Sequence, residues 1–217
     1  NTLIQQKGER RTICKKLATT RLAVQGSINR EAVYPDLTAQ QLQSCLSPES
    51  ILKAINNADG IFINGGDQSL TLRAFKNKDG SDNAALSLIK EKLASNSIII
   101  GGTSAGTAVM SGGFFNGRSI AMITNGQSNT AIVRGAKKDV LPQEGCNKSG
   151  RCDQGLLNDD LTYNSLGGLG LFTWGITDTH FSERGRQGRL AKLVLDTNTR
   201  FAFGVDEATA LVVSDIN

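Results

Sequence analysis

The chain has 217 residues, 39% of them hydrophobic, and a formal net charge of +4. That length supports one compact core rather than two, and no apolar run approaches the roughly 18 residues of a membrane span. The modest positive charge does not imply nucleic acid and suits an acidic substrate better than a basic one.

The first 35 residues are polar and basic, with Arg10, Arg11, Lys15, Lys16, Arg21 and Arg30. They lack the aromatic residues that would stack on bases, so they read as a solvated surface segment, peripheral to a single α/β domain over 1–217. With no apolar leader pattern and Asn1 in place of methionine, the expectation is a mature or trimmed form.

Ser47-Pro48-Glu49-Ser50 has the chemistry of a helix start, and the helix is predicted to run to about Ala58. Gly60-Ile61-Phe62-Ile63-Asn64 reads as a buried strand, broken at Gly65-Gly66-Asp67-Gln68. Helices are predicted over Ser69 to Phe75 and Ala84 to Ala94, with a charged loop between them. Ser97-Ile98-Ile99-Ile100 is a second predicted strand, running directly into Gly101-Gly102-Thr103-Ser104-Ala105-Gly106 and a small-residue helix. This alternation is that of a parallel sheet covered on both faces. Asn125 to Gly170 reads as loops and short strands. Strand character returns over Leu171 to Thr177, a helix is predicted over Arg186 to Leu195, and two late strands over Phe201 to Val205 and Ala210 to Val213.

There are four cysteines, Cys14, Cys45, Cys146 and Cys152, with no Cys-x-x-Cys pair and one histidine far from them, which argues against a zinc site. Cys146 and Cys152 flank a short polar segment that a disulfide could close; two unrelated thiols are the alternative. An even cysteine count points to an oxidising compartment, periplasmic or extracellular, over the cytoplasm.

Gly102-Thr103-Ser104-Ala105-Gly106 is a Gly-x-Ser-x-Gly pattern immediately after a predicted strand. A nucleophile there needs a sharp turn with small neighbours, and the N–H of Ala105 at the following helix would face a developing oxyanion. The alternative, a phosphate loop, is weakened by the absence of the lysine such a loop requires. A serine hydroxyl needs a base. His180 is the sole histidine and ends a predicted strand. Asp178, Asp206 and Glu207 compete to orient it. Glu207 is favoured, because it also ends a strand, whereas a carboxylate two positions from the histidine tends to point elsewhere. Arg184, Arg186 and Arg189 follow the histidine and could grip substrate carboxylates bidentately. Their spacing leaves at least one as structural, paired with Asp178 or Glu183.

Together these segments resemble the cyanophycinases, serine peptidases grouped with the aspartyl dipeptidases. The matching pieces are Gly65-Gly66-Asp67-Gln68, the Ser104 elbow, Asp178-Thr179-His180-Phe181 with the three arginines, and Val205-Asp206-Glu207-Ala208-Thr209-Ala210. They span roughly Ala54 to Val213. The resemblance implies a three-layer α/β sandwich with a mostly parallel sheet, of the class I glutamine amidotransferase-like kind. It implies hydrolysis of cyanophycin, a polyaspartate bearing arginines, to β-aspartyl-arginine dipeptides. Carried over by position, Ser104, His180 and Glu207 form the triad. In the mechanism expected from this, the N–H of Ala105, with that of Gly66 or a neighbour, stabilises the oxyanion. Gln68, Asp178, Thr179, Arg184, Arg186 and Arg189 bind substrate. The partner is then a polypeptide rich in aspartate and arginine, not nucleic acid or a membrane; the resemblance also implies a homodimer. Such chemistry needs no metal and no organic cofactor. An α-aspartyl dipeptidase is the alternative substrate reading, and a non-catalytic binding module on the same fold the alternative of another class. Thr179 departs from the family's usual glutamine, the domain's usual opening strand and glycine turn are not evident in residues 1–35, and the cysteine-bearing segment is an elaboration.

Overall fold

The computed structural model describes residues 48–77, 79–140 and 155–214. By spatial clustering the chain divides into two units, Asn1–Ala58 and Asp59–Asn217. In the first, the described structure is helix α1, Pro48–Asn57, with Glu49 in its first turn. The predicted cap Ser47 lies outside the described residues, as do all four cysteines and hence the predicted Cys146–Cys152 pairing.

The second unit carries the rest. Strand β1, Gly60–Ile63, leads into helix α2, Gln68–Phe75, and helix α3, Ala84–Ala94, precedes strand β2, Ile99–Gly102. Asp67 caps α2 by accepting from the Ser69 N–H, and Asn83 caps α3 by accepting from that of Leu86. Each cap satisfies a backbone donor that the first helical turn leaves open. β1 and β2 pair in parallel, Gly60 with Ile99 through Ile63 with Gly102. Pairing with β1 therefore starts β2 two residues later than the apolar run suggests, and carries it into the glycines of the elbow.

After the elbow comes one turn of helix, α4, Ala105–Ala108, then a short hairpin of β3, Phe114–Phe115, and β4, Arg118–Ser119. Strand β5, Met122–Asn125, helix α5, Ser128–Arg134, and strands β6, Lys137–Lys138, and β7, Thr162–Asn164, follow. β7 pairs antiparallel with β5 and parallel with β6. Strand β8, Ile176–Thr179, helix α6, Gln187–Thr197, and strand β9, Ala202–Val205, close the unit, with β8 and β9 parallel.

The mixed α/β reading holds, but β1 and β2 are not the buried strands expected: they form a two-stranded parallel pair with Phe62 64% and Ile99 80% exposed, and several boundaries move. Leu171 to Gly175 bends past Ser111, joined by a single bridge at Phe172, so regular pairing starts only at Ile176. The segment read as loops contains helix α5. Ala210 to Val213 forms no strand; Val212 is 81% exposed, and no neighbouring strand pairs with this segment among the described residues.

Two apolar clusters hold the unit together. One joins Ile120, Ile123, Ala131, Leu161, Ile176, Leu190 and Leu193; the other joins Leu86, Val109, Met122 and Leu169. Met122 and Ile123 are consecutive on β5 and enter different clusters, as the two-residue period of a strand requires. β5 is thus a wall shared by two cores. Burying each large aliphatic side chain stabilises the fold by roughly 1.5–3 kcal/mol.

Candidate active site

Ser104 stands between β2 and α4 with φ 54° and ψ −122°, a conformation that side-chain-bearing residues seldom adopt. The sequence tolerates it because its neighbours are small. A Cβ on Gly106 would lie 1.9 Å from the carbonyl oxygen of Ile63, and one on Gly102 would lie 2.7 Å from that of Gly106. Only glycine lets α4 rest directly on the end of β1 and on the strand before it. The Thr107 hydroxyl donates to the Gly102 carbonyl at 2.7 Å and closes the turn.

β8 is pinned to this turn by buried hydroxyls. Thr177 Oγ1 donates to the Thr107 carbonyl at 3.0 Å and lies 2.6 Å from Ser111 Oγ, which accepts the Thr177 N–H at 2.8 Å. Three residues on, β8 has ended and the chain turns at His180 with φ 47°. His180 Nε2 lies 2.8 Å from Ser104 Oγ, and Nδ1 lies 2.8 Å from Glu207 Oε1. A neutral imidazole protonated on Nδ1 satisfies both contacts: it donates to Glu207 and accepts the serine hydroxyl proton.

Glu207 arrives from the end of β9. Its backbone N–H donates to the Glu183 carboxylate at 3.0 Å. The competing carboxylates are engaged elsewhere. Asp206 Oδ1 accepts the Ser182 N–H at 2.8 Å. Asp178 is 1% exposed and accepts Arg189 Nε at 2.7 Å and Nη2 at 2.5 Å, Arg186 Nη1 at 3.3 Å and the Thr179 N–H at 2.8 Å.

Ser104 opens into a cleft of about 820 Å³, lined by Gly66, Gln68, Ala105, Asp178, Thr179 and Arg184, Arg186 and Arg189 among others. The N–H groups of Ala105 and Gly66 have no acceptor among the described residues. Because α4 is a single turn, what it offers here is the N–H itself rather than a long-helix dipole.

The predicted binding residues differ in availability. Gln68 Nε2 donates to the carbonyls of Ile123 at 2.8 Å and Thr124 at 3.2 Å, tying α2 to β5. Thr179 is buried, and its carbonyl accepts Arg186 Nη1 at 2.6 Å. Arg189 is 5% exposed; Asp178 and the Gly126 carbonyl take its donors, so it holds the floor of the cleft. Arg186 spends only Nη1 on the protein. Burial and the neighbouring Arg189 hold its guanidinium below the usual arginine range, a cost that an anion in the cleft would relieve. Arg184 is exposed, and its side chain has no partner among the described residues.

Sequence reasoning missed three supports: the Ser111–Thr177 hydroxyl pair, the Glu183 contact to Glu207, and Arg73, which also lines the cleft. Ser111 and Thr177 are polar residues within apolar surroundings, which is a readable signal. The other two depend on tertiary placement.

Comparison with known proteins covers the first part of this site. Residues 34–128 match peptidase family S51, a span that includes the Gly65–Gln68 segment and the Ser104 elbow but not His180 or Glu207. Curated cyanophycinases of Trichormus variabilis and of a Nostoc species are each 28% identical over 176 residues, 81% of this chain and 46% of theirs. The chain therefore spans about half the length of these curated relatives. By its elbow segment and by these relatives, the chain is similar to the peptidases of family S51 and to cyanophycinases.

Proposed function

We propose that the chain is a serine-type peptidase that hydrolyses cyanophycin to β-aspartyl-arginine dipeptides through an acyl-enzyme. The observation carrying this reading is the line Glu207–His180–Ser104, with 2.8 Å at each contact, at the edge of an arginine-bearing cleft.

In this mechanism His180 takes the Ser104 proton at Nε2 as the oxygen attacks the scissile carbonyl. Glu207 stabilises the imidazolium that results. The Ala105 and Gly66 N–H groups face the oxyanion. His180 then gives its proton to the leaving amine, and water attacks the acyl-enzyme by the same route in reverse. No metal or organic cofactor enters these steps. Arg184 and Arg186 hold substrate carboxylates, while Asp178 and Arg189 fix the position of Arg186 from below. The parallel pairs β1–β2 and β8–β9, each delivering its residues at its carboxyl end, support the three-layer amidotransferase-like sandwich as the wider architecture.

Thr179 gives a second reading its footing. It is shorter than the glutamine usual there, which removes one polar contact and leaves α-aspartyl dipeptides as alternative substrates. The test is incubation with insoluble cyanophycin, and in parallel with α-aspartyl dipeptides, with products followed by mass. The reading expects β-aspartyl-arginine from the first and slower or no cleavage of the second. Release only from the dipeptides would move the assignment to an aspartyl dipeptidase. No release from either, or undiminished release by Ser104→Ala, would remove the peptidase.

A further inference from the structure

We propose that Arg73 on α2 is a second carboxylate-binding residue of the cleft, so that the peptide it accepts carries an acid on each side of the bond being cut. This rests on the peptidase reading and narrows its substrate.

Four arginines line the cleft, Arg73, Arg184, Arg186 and Arg189, against two acids, Asp67 and Asp178. Both acids are already engaged. Asp178 holds Arg186 and Arg189, and Asp67 accepts the Ser69 N–H as the cap of α2. Arg73 is exposed, and its side chain has no partner among the described residues. A guanidinium left unpaired on the wall of a cleft with excess positive charge concentrates anions there and grips a carboxylate bidentately.

Its place along the chain sets which side of the nucleophile it serves. The Gly65–Gly66 turn abuts Ser104, since a Cβ on Gly65 would lie 3.0 Å from Ser104 Cβ. α2 leaves from that turn. Ser69 and Arg73 are four residues apart, hence on one face of the helix, and both line the cleft. His180 stands at 2.8 Å from Ser104 and leads on to Arg184 and Arg186. The nucleophile thus lies between a turn leading to Arg73 and a histidine leading to the other two cations. Five residues of helix advance about 7.5 Å, close to two residues of extended peptide. In this proposal the carboxylate that Arg73 holds sits about two residues from the scissile carbonyl, on the side away from Arg184.

The test uses a trimer of the β-aspartyl-arginine repeat and the same trimer with its arginine carboxylates amidated. Binding is measured by calorimetry to Ser104→Ala and to Ser104→Ala with Arg73→Gln or Arg73→Lys. The proposal expects Arg73→Gln to weaken the carboxylate trimer about ten- to a hundredfold, as loss of one charged hydrogen-bonding group does. It expects Arg73→Lys to recover part of this, and the amidated trimer to respond less than about twofold. An equal loss on both trimers, no loss on either, or no binding of either by Ser104→Ala overturns it. Turnover of the carboxylate trimer by the unmutated chain separates the two readings. Cleavage with an indifferent Arg73 sinks only this proposal. Carboxylate-dependent binding without cleavage sinks only the peptidase.

Discussion

His180 Nε2 lies 2.8 Å from the Oγ of Ser104, although 76 residues separate them in the chain. Both have positive φ, and each sits where a parallel strand has just ended. The contact is fixed from behind by Thr177, whose hydroxyl joins β8 to the carbonyl of Thr107 one turn past the serine. The fold thus aligns two strand ends and lets strained turns aim the side chains.

Replacing Ser104 separates chemistry from binding. Ser104→Ala should lower kcat by at least about 10⁴-fold, since a triad without its nucleophile keeps only residual catalysis. Calorimetry with the trimer should show binding within a few-fold of the unmutated chain.

The strained turn makes a stability prediction at the same residue. Ser104 adopts φ 54° and ψ −122°, where glycine is comfortable and other residues carry a cost of about 1–3 kcal/mol. Ser104→Gly should therefore melt at a higher temperature than Ser104→Ala, by about 2–12 °C for a chain of this size. Equal melting points would mean the turn stores no strain. Both variants should be inactive.

In the proposed mechanism Glu207 orients His180, and it is 55% exposed, which screens its charge. Glu207→Gln should lower kcat by about 10²–10⁴-fold. Asp206→Asn removes the charge but keeps an oxygen that can accept the Ser182 N–H, and should cost much less. Steady-state rates on one substrate rank the two; a larger loss at Asp206 would reassign the role.

Much of this was legible in the residues, and the gaps have physical causes. β1, α2 and α3 follow from short apolar runs and side-chain caps, which are local signals. The elbow is legible because its glycines answer to contacts within a few residues or with the adjacent strand. α5 was not, because its apolar residues are consecutive, Ala131-Ile132-Val133, and give no helical period; only Ala131 of the three is buried, Ile132 and Val133 being 62% and 83% exposed, and the helix is held by packing against α6. Ala210 to Val213 has the composition of a strand and no partner to pair with among the described residues. The division of labour among the arginines was also hidden. Arg186 and Arg189 are three residues apart and meet one buried carboxylate, which spacing permits but does not dictate.

That buried carboxylate supports the next prediction. Asp178 balances two arginines, one of them 5% exposed, and Asp178→Asn would leave buried positive charge without its counter-ion. Breaking a buried pair from one side costs about 3–5 kcal/mol. The melting temperature should fall by roughly 6–20 °C, read by calorimetry or circular dichroism. A fall of less than about 2 °C would show that water or movement of Arg186 relieves the charge.

Acid should unfold the chain partly through Asp160. Its side chain is fully buried, and burial alone would raise its pKa. Arg134 outweighs this, donating from Nε at 2.6 Å and Nη2 at 3.0 Å, with the Leu157 N–H at 2.8 Å and the charges of Arg134 and Lys137 adding to it. The carboxyl therefore titrates below its ordinary 3.8 in the folded chain. On acidification the unfolded chain takes up this proton first. The stabilisation is thus complete above the unfolded value and is lost as pH falls through the folded one. Asp82, held by Lys76 and Lys90, and Asp196, held by Lys192, shift in the same direction and add to the slope. Denaturant midpoints should be flat near neutrality and fall below about pH 4. Asp160→Asn should be less stable at pH 7 with a shallower acid slope, so that the two curves converge at low pH. Curves that stay parallel down to pH 2 would mean that Asp160 is not the group losing its partner.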